Sequence, residues 1–80
     1  MIIIQLNNME EKILNVLRTV LEDSTIGVDC SQENCENWDS LRHLTVCFEL
    51  EGAFGVQFEP EEMGAMKSVA DIKQVLSKKL

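Results

Sequence analysis

Hydrophobic residues near the start of the chain follow a helical pattern. They recur at steps of three and four, which is the spacing of one face of an amphipathic helix: Met9, Ile13, Val16, Leu17, Val20 and Leu21. Asn7 or Asn8 can cap the start of such a helix, because an asparagine side chain accepts hydrogen bonds from the first turn. The pattern therefore predicts a first helix that ends at about Leu21 or Glu22. Residues 1–7 are expected to form an N-terminal extension.

The helical pattern is absent between Asp23 and Trp38, where polar residues predominate. We expect a long loop here, held to the core by Ile26 and Val28, and loops of this length are often functional. Trp38 has two possible roles. It either closes the loop against the helices, paired with His43 four positions after the cap, or it is exposed for a partner.

A second helix is predicted from Ser40 to about Gly52 or Phe54. Asp39 is a good N-cap for it, and Gly55 is a suitable residue to end it. Apolar residues lie on more than one side of this helix, in two overlapping sets: Leu41, Leu44, Cys47 and Phe48, and Leu44, Val46, Leu50 and Phe54. One face is therefore expected to contact the core and another face to contact something else.

The last third of the chain predicts a short helix and a longer one. Pro60 suits the first position of a helix that ends near Ala65. Ser68 and Asp71 then resemble a capping box before the final helix, whose last turn contains two lysines. We predict an all-α fold, a small antiparallel four-helix bundle with three main helices and one short one, in a single domain over residues 1–80.

Charge and cysteine content restrict the class of partner and the compartment. The 80 residues include 7 basic and 14 acidic side chains, a net charge of −7. Nucleic acids are disfavoured as partners because they need a basic surface, whereas proteins with basic patches are favoured. The apolar N-terminus is shorter than the roughly 20 residues of a membrane span. Three cysteines indicate free thiols in a reducing cytoplasm.

Two constellations of residues have a possible chemistry of their own. Ser40 and His43 lie three positions apart on a helix, but nothing else supplies the oxyanion hole and pocket of an acyl-transfer enzyme, so we expect no enzymatic activity. Cys30, Cys35, His43 and Cys47 have side chains that bind zinc. Their spacing is wider than that of most structural zinc sites, and we expect no metal.

The residues Asp39-Ser40-Leu41 carry a resemblance to a known family. Together with the apolar residues that follow them and the acidic Pro60-Glu61-Glu62 turn, they resemble the acyl carrier proteins from about Asp39 to Leu80. The resemblance implies that Ser40 carries 4′-phosphopantetheine, a flexible arm that ends in a thiol. It also implies that Asp39 orients the helix start. Leu41 is expected to pack beneath the attachment point and to contribute to the recognised surface.

The resemblance also implies partner enzymes and the residues that contact them. The partners would be a phosphopantetheinyl transferase, an acyl-loading ligase or transferase, and synthase enzymes with basic docking patches. Four acidic residues are candidates for docking: Glu49, Glu51, Glu61 and Glu62. Arg42 and His43 are also candidates for partner contact. They replace the acidic or neutral residues expected after Ser-Leu, which indicates a specialised fatty-acid, polyketide or related pathway. We expect a monomer.

Two alternatives to an acyl carrier are open at this stage. An aminoacyl or peptidyl carrier would use the same Ser40 and the same fold, and would differ in the ligase that loads it. A non-carrier helical interaction module with a Cys/His zinc site would make Ser40 incidental. Addition of one phosphopantetheinyl group to Ser40 distinguishes both carriers from the module.

Overall fold

The structure is a computed structural model that describes residues 2–80, with side chains from Met9 onward. It contains four helices: α1 (Ile2–Val20), α2 (Ser40–Phe54), α3 (Pro60–Ala65) and α4 (Val69–Lys79). The all-α prediction is confirmed, since the described residues form no strand and a single isolated β-bridge pairs Ser31 with Ser68. Within this part of the chain, no helix is both long and apolar enough to cross a membrane.

The first helix begins earlier than the sequence predicts. It starts at Ile2, so neither Asn7 nor Asn8 is its N-cap, and residues 2–7 continue the helix instead of preceding it. Asparagine has a lower helix propensity than alanine, but the difference is well below 1 kcal/mol and a helix tolerates it at interior positions. Residue 1 and the side chains of residues 2–8 lie outside the description.

The second helix has the predicted bounds, and both of its ends have the predicted capping residues. The Asp39 carboxylate accepts a hydrogen bond from the Arg42 backbone N–H at 2.9 Å. Gly55 adopts the left-handed conformation, with φ 66°, and its N–H donates to the Glu51 carbonyl at 2.8 Å. A left-handed residue at this position ends a helix because its N–H turns back toward the last carbonyls.

Side chains also cap the two later helices. The Glu62 carboxylate accepts a hydrogen bond from the Glu59 N–H at 2.8 Å, at the start of α3. Ser68 caps α4 by accepting from the Asp71 N–H at 3.1 Å. Asp71 in turn accepts from the Lys67 N–H at 3.2 Å, one residue earlier than a regular capping box requires.

Helix α1 packs against α2 and α4 around one apolar core. The buried residues of α1 belong to the predicted stripe, with Leu14 as an addition. The core consists of Ile13, Leu14, Leu17, Leu21, Ile26, Cys30, Trp38, Val46, Cys47, Leu50, Phe58, Met66, Val69, Ile72 and Leu76. Residues from every helix except α3, and from all three connecting segments, therefore share a single interior.

The segment between α1 and α2, residues 21–39, is held to the core by different residues than predicted. Ile26 is buried as expected, but Val28 is 48% exposed and the prediction for it was wrong. Cys30 is buried instead, because its carbonyl accepts a hydrogen bond from the Val69 N–H at 3.0 Å at the start of α4. This backbone contact fixes the turn and directs Cys30, two residues beyond Val28, into the core.

Candidate functional site

Ser40 is exposed at the first position of α2. The residue before it, Asp39, has an extended backbone, and its carbonyl accepts from the His43 N–H at 2.9 Å. The first N–H groups of a helix lack intrahelical acceptors. Because Asp39 satisfies the N–H of Arg42, the N–H groups of Ser40 and Leu41 are left pointing out of the helix end. The Ser40 hydroxyl thus lies at the positive end of the helix dipole.

The start of α2 is fastened to the end of α1 by two side chains. Arg42 Nη1 donates to the Val20 carbonyl at 3.3 Å, and Asn37 Nδ2 donates to the Leu21 carbonyl at 2.9 Å. The Val20 carbonyl is the last of α1 and the Leu21 carbonyl follows it directly, so neither has an intrahelical donor. Arg42, a predicted partner residue, is therefore half-buried against α1. Its side chain positions the helix that carries Ser40.

His43 connects α2 to Trp38 on one side and to α3 on the other. The Trp38 indole N–H donates to His43 Nδ1 at 3.0 Å, and His43 Nε2 lies 2.6 Å from the Met63 carbonyl oxygen. An indole N–H can only donate, so Nδ1 is the acceptor and Nε2 carries the hydrogen. Both ring nitrogens of His43 are thus engaged away from Ser40. Trp38 is 3% exposed, so it closes the loop against the helices and is not exposed for a partner.

An open cleft lies beside Ser40. Its volume is about 480 Å³, and the residues that line it define the Ser40 cleft: Gln32, Trp38, Asp39, Ser40, His43 and Gly64. They come from the loop, the start of α2 and the end of α3, so the cleft exists only in the folded chain. Amide, carboxylate and hydroxyl groups line it together with the indole of Trp38.

Leu41 does not pack beneath the attachment point as expected. It is 78% exposed, because the first turn of α2 projects beyond the core. Leu44 and Phe48 are also exposed, at 47% and 59%. These three residues, spaced three and four apart, form one stripe along α2 that we call the exposed ridge. The predicted second apolar face of α2 is therefore present, and it begins next to Ser40.

The four acidic candidates divide into an exposed pair, Glu49 and Glu61, and a pair that accepts backbone hydrogen bonds, Glu51 and Glu62. Glu51 accepts a hydrogen bond from the Phe58 N–H at 2.8 Å.

Glu62 combines its capping role with a 2.8 Å ion pair to Lys79. The hydrogen bond from the Glu59 N–H is the main cause of a lowered pKa of Glu62, and the contact with Lys79 lowers this pKa further. Glu51 and Glu62 therefore stabilise local structure, while the carboxylates of Glu49 and Glu61 are exposed to solvent.

The expectation of free thiols was wrong for two of the three cysteines. Cys30 and Cys35 form a disulfide bond, and only Cys47 is free among the described residues. Cys47 is fully buried, and burial together with the charge of Glu51 raises the pKa of its thiol to about 11. Within the described part of the chain, no three His, Cys, Asp or Glu side chains form a group that would hold a metal ion.

The geometry therefore brings Asp39, Ser40 and His43 together at one cleft, and places Leu41 on the ridge beside it. Gln32 and Gly64 complete the cleft but were not predicted, since nothing in their local sequence distinguishes them. When the chain is compared with protein-family models, curated proteins and solved structures, none of them matches it.

Proposed function

We propose that this chain is an acyl carrier protein and that the Ser40 hydroxyl carries a 4′-phosphopantetheine arm. The observation that carries the proposal is the exposed position of Ser40 at the start of α2, beside a polar cleft. A small antiparallel four-helix bundle with a long loop between its first two helices is part of the same proposal. The packing of α1 against both α2 and α4 supports it.

The attachment reaction needs a nucleophilic hydroxyl and a place for a charged product. A phosphopantetheinyl transferase would remove the proton of Ser40 as its Oγ attacks the pyrophosphate of coenzyme A. One oxygen–phosphorus bond forms, the pyrophosphate bond breaks, and the adenosine 3′,5′-bisphosphate portion leaves. The anionic phosphodiester would then lie at the N-terminus of α2, where free N–H groups and the helix dipole stabilise negative charge.

Asp39 and Arg42 contribute to this reaction by positioning the helix. Asp39 caps the first turn, and Arg42 ties that turn to the Val20 carbonyl, so the Ser40 hydroxyl is presented on a fixed element. The polar groups of the Ser40 cleft suit an arm that contains amide and hydroxyl groups. When attached, the arm supplies a terminal thiol that holds acyl groups as thioesters.

Partner enzymes would recognise the surface around Ser40. The exposed ridge gives them an apolar contact, and Glu49 and Glu61 give charges for basic docking patches. A net charge of −7 favours rapid encounter with such partners. The same proposal describes a cytoplasmic monomer without enzymatic activity of its own. It would serve a fatty-acid, polyketide or related pathway through its transferase, loading enzyme and synthases.

Intact mass measurement tests the proposal. The full chain is incubated with coenzyme A and a broad-specificity phosphopantetheinyl transferase, in parallel with Ser40→Ala and with Ser24→Ala, an exposed serine in the loop. We expect a gain of one phosphopantetheinyl group in the wild type and in Ser24→Ala, and none in Ser40→Ala. An unmodified wild type, or a modified Ser40→Ala, would show that Ser40 is not the attachment residue.

A further inference from the structure

The Cys30–Cys35 disulfide lies in the segment that leads to Ser40, and its two cysteines differ in exposure. Cys30 is 5% exposed and belongs to the core, whereas Cys35 is half-buried. Their Cα atoms are 6.1 Å apart, within the range that a disulfide spans. A reagent in solution therefore reaches Cys35 more easily than Cys30.

The Cys30 end of this bond is fixed to the start of α4. The Cys30 carbonyl accepts from the Val69 N–H at 3.0 Å, and the Gln32 N–H donates to the Lys67 carbonyl at 2.8 Å. Gln32 is also one of the residues that line the Ser40 cleft. One side of the cleft is thus attached to the connection between α3 and α4.

The Cys35 end is fixed to the other side of the cleft. The Cys35 carbonyl accepts from the Trp38 N–H at 3.0 Å, and Trp38 lines the cleft and donates to His43. The Cys35 N–H donates to the Ser31 carbonyl at 2.9 Å. The disulfide therefore joins covalently the two loop segments that supply Gln32 and Trp38 to the cleft.

We propose that the Cys30–Cys35 pair is a thiol–disulfide switch that controls the order of the Ser40 cleft and hence the modification of Ser40. The second part of this inference rests on the proposed carrier function. In a reducing compartment, disulfides are usually transient or redox-sensing, and a bond beside the proposed attachment site suits that role. With the bond reduced, the turn that leads to Trp38 loses its covalent link to Cys30, and Trp38 is held by its hydrogen bonds to Cys35 and His43 and by packing in the core.

The exchange follows from the difference in exposure. A thiolate of glutathione or of a protein dithiol attacks Cys35 Sγ, and Cys30 Sγ leaves as a thiolate that takes up a proton. A second thiol of the reductant then attacks the mixed disulfide, which releases Cys35 and forms the oxidised reductant. Two electrons pass to the protein sulfurs, and the reverse sequence restores the bond. Cys47 takes no part, because it is fully buried.

Four measurements on the full chain test the switch in glutathione buffers of graded redox ratio. Alkylation followed by mass measurement counts free thiols. We expect the thiols of Cys30 and Cys35 to appear together as the buffer becomes more reducing. Trp38 is the sole tryptophan, so its emission reports on the cleft, and we expect a shift to longer wavelength on reduction. The melting temperature should fall by about 10 °C. The rate of Ser40 modification should fall about threefold or more.

Two variants serve as controls. Cys30→Ser/Cys35→Ser should behave as the reduced wild type in every buffer, and Cys47→Ala should respond to the buffer as the wild type does. If the double variant does not fold, the reduced wild type replaces it. Equal emission and equal modification rates in oxidised and reduced wild type would overturn the proposal. Absence of modification in both states would contradict the carrier function alone, and the emission and thiol counts would still decide whether the switch exists.

Discussion

His43 is the residue through which the loop, α2 and α3 meet. Its ring accepts a hydrogen bond from Trp38 and lies 2.6 Å from the Met63 carbonyl, and the two aromatic rings are 6.0 Å apart. Removal of the donor to a partly buried acceptor such as Nδ1 destabilises the folded protein, because water replaces the donor poorly. The contacts of His43 therefore contribute to the order of the Ser40 cleft.

We predict that Trp38→Phe lowers the free energy of unfolding by about 1–3 kcal/mol, since it removes the donor to His43 and leaves a smaller ring in the core. Urea denaturation followed by circular dichroism measures this change. A double-mutant cycle with His43→Leu should give an interaction energy of about 0.5–3 kcal/mol. Purely additive effects would show that the 3.0 Å contact contributes no coupling between the two rings.

At the scale of elements, two helices end with a residue in the left-handed conformation. Gly55 follows α2 with φ 66°, and Glu22 lies just beyond α1 with φ 55°. A side chain in this conformation costs about 1–2 kcal/mol, which glycine avoids because it has no Cβ. The two positions share a positive φ, but one has glycine and the other a residue with a side chain, so they can be compared as a pair.

Gly55→Ala should therefore lower the free energy of unfolding by about 1 kcal/mol, and Glu22→Gly should raise it by up to about 1 kcal/mol. A Cβ at Gly55 would meet nothing within 4 Å, so steric clash with other residues does not add to the effect. Gly52→Ala inside α2 is the control, and it should stabilise the protein by about 0.5–1 kcal/mol. Thermal and urea melts provide the measurement. The same sign for both alanine variants would contradict the conformational explanation.

The sequence predicts those features that depend on nearby residues. The bounds of α2 and α3, the Asp39 cap and the Gly55 stop all follow from a few adjacent residues. The start of α1 was missed because the apolar residues before Asn7 read equally well as an extension. The bond from Arg42 to the Val20 carbonyl and that from His43 to the Met63 carbonyl join residues about 20 positions apart. Such contacts depend on how the helices pack, and no local pattern predicts them.

The pairing of the cysteines also could not be predicted from the sequence. An odd number of cysteines suggested free thiols, yet the pairing of Cys30 with Cys35 depends on the turn between them. That turn is built by Asn34, which accepts from the Ser31 N–H and donates to the Asp29 carbonyl, each at 2.9 Å. Composition gives the number of cysteines, whereas the conformation of the turn determines which of them form a disulfide.

At the scale of the whole molecule, the surface around Ser40 combines charge with an apolar stripe. The net charge of −7 acts over about a Debye length and speeds encounter with a basic partner. The exposed ridge acts only on contact, where burial of an apolar side chain slows dissociation. A partner that approaches Ser40 must cover Leu41, because the two residues are adjacent at the tip of α2. The proposed carrier function therefore requires that Leu41 contribute to recognition and contribute little to stability.

Leu41→Glu separates these two contributions. The side chain is 78% exposed, and a negative charge is favoured in the first turn of a helix, so the melting temperature should stay within a few degrees of wild type. Burial of a leucine at an interface is worth about 1.5–3 kcal/mol, so modification of Ser40 by the transferase should slow about tenfold or more in kcat/KM. Val28→Glu is the control, since Val28 is 48% exposed but lies in the loop, outside the exposed ridge. Equal slowing in both variants would mean that added negative charge, and not the loss of an apolar contact at the tip of α2, governs the encounter.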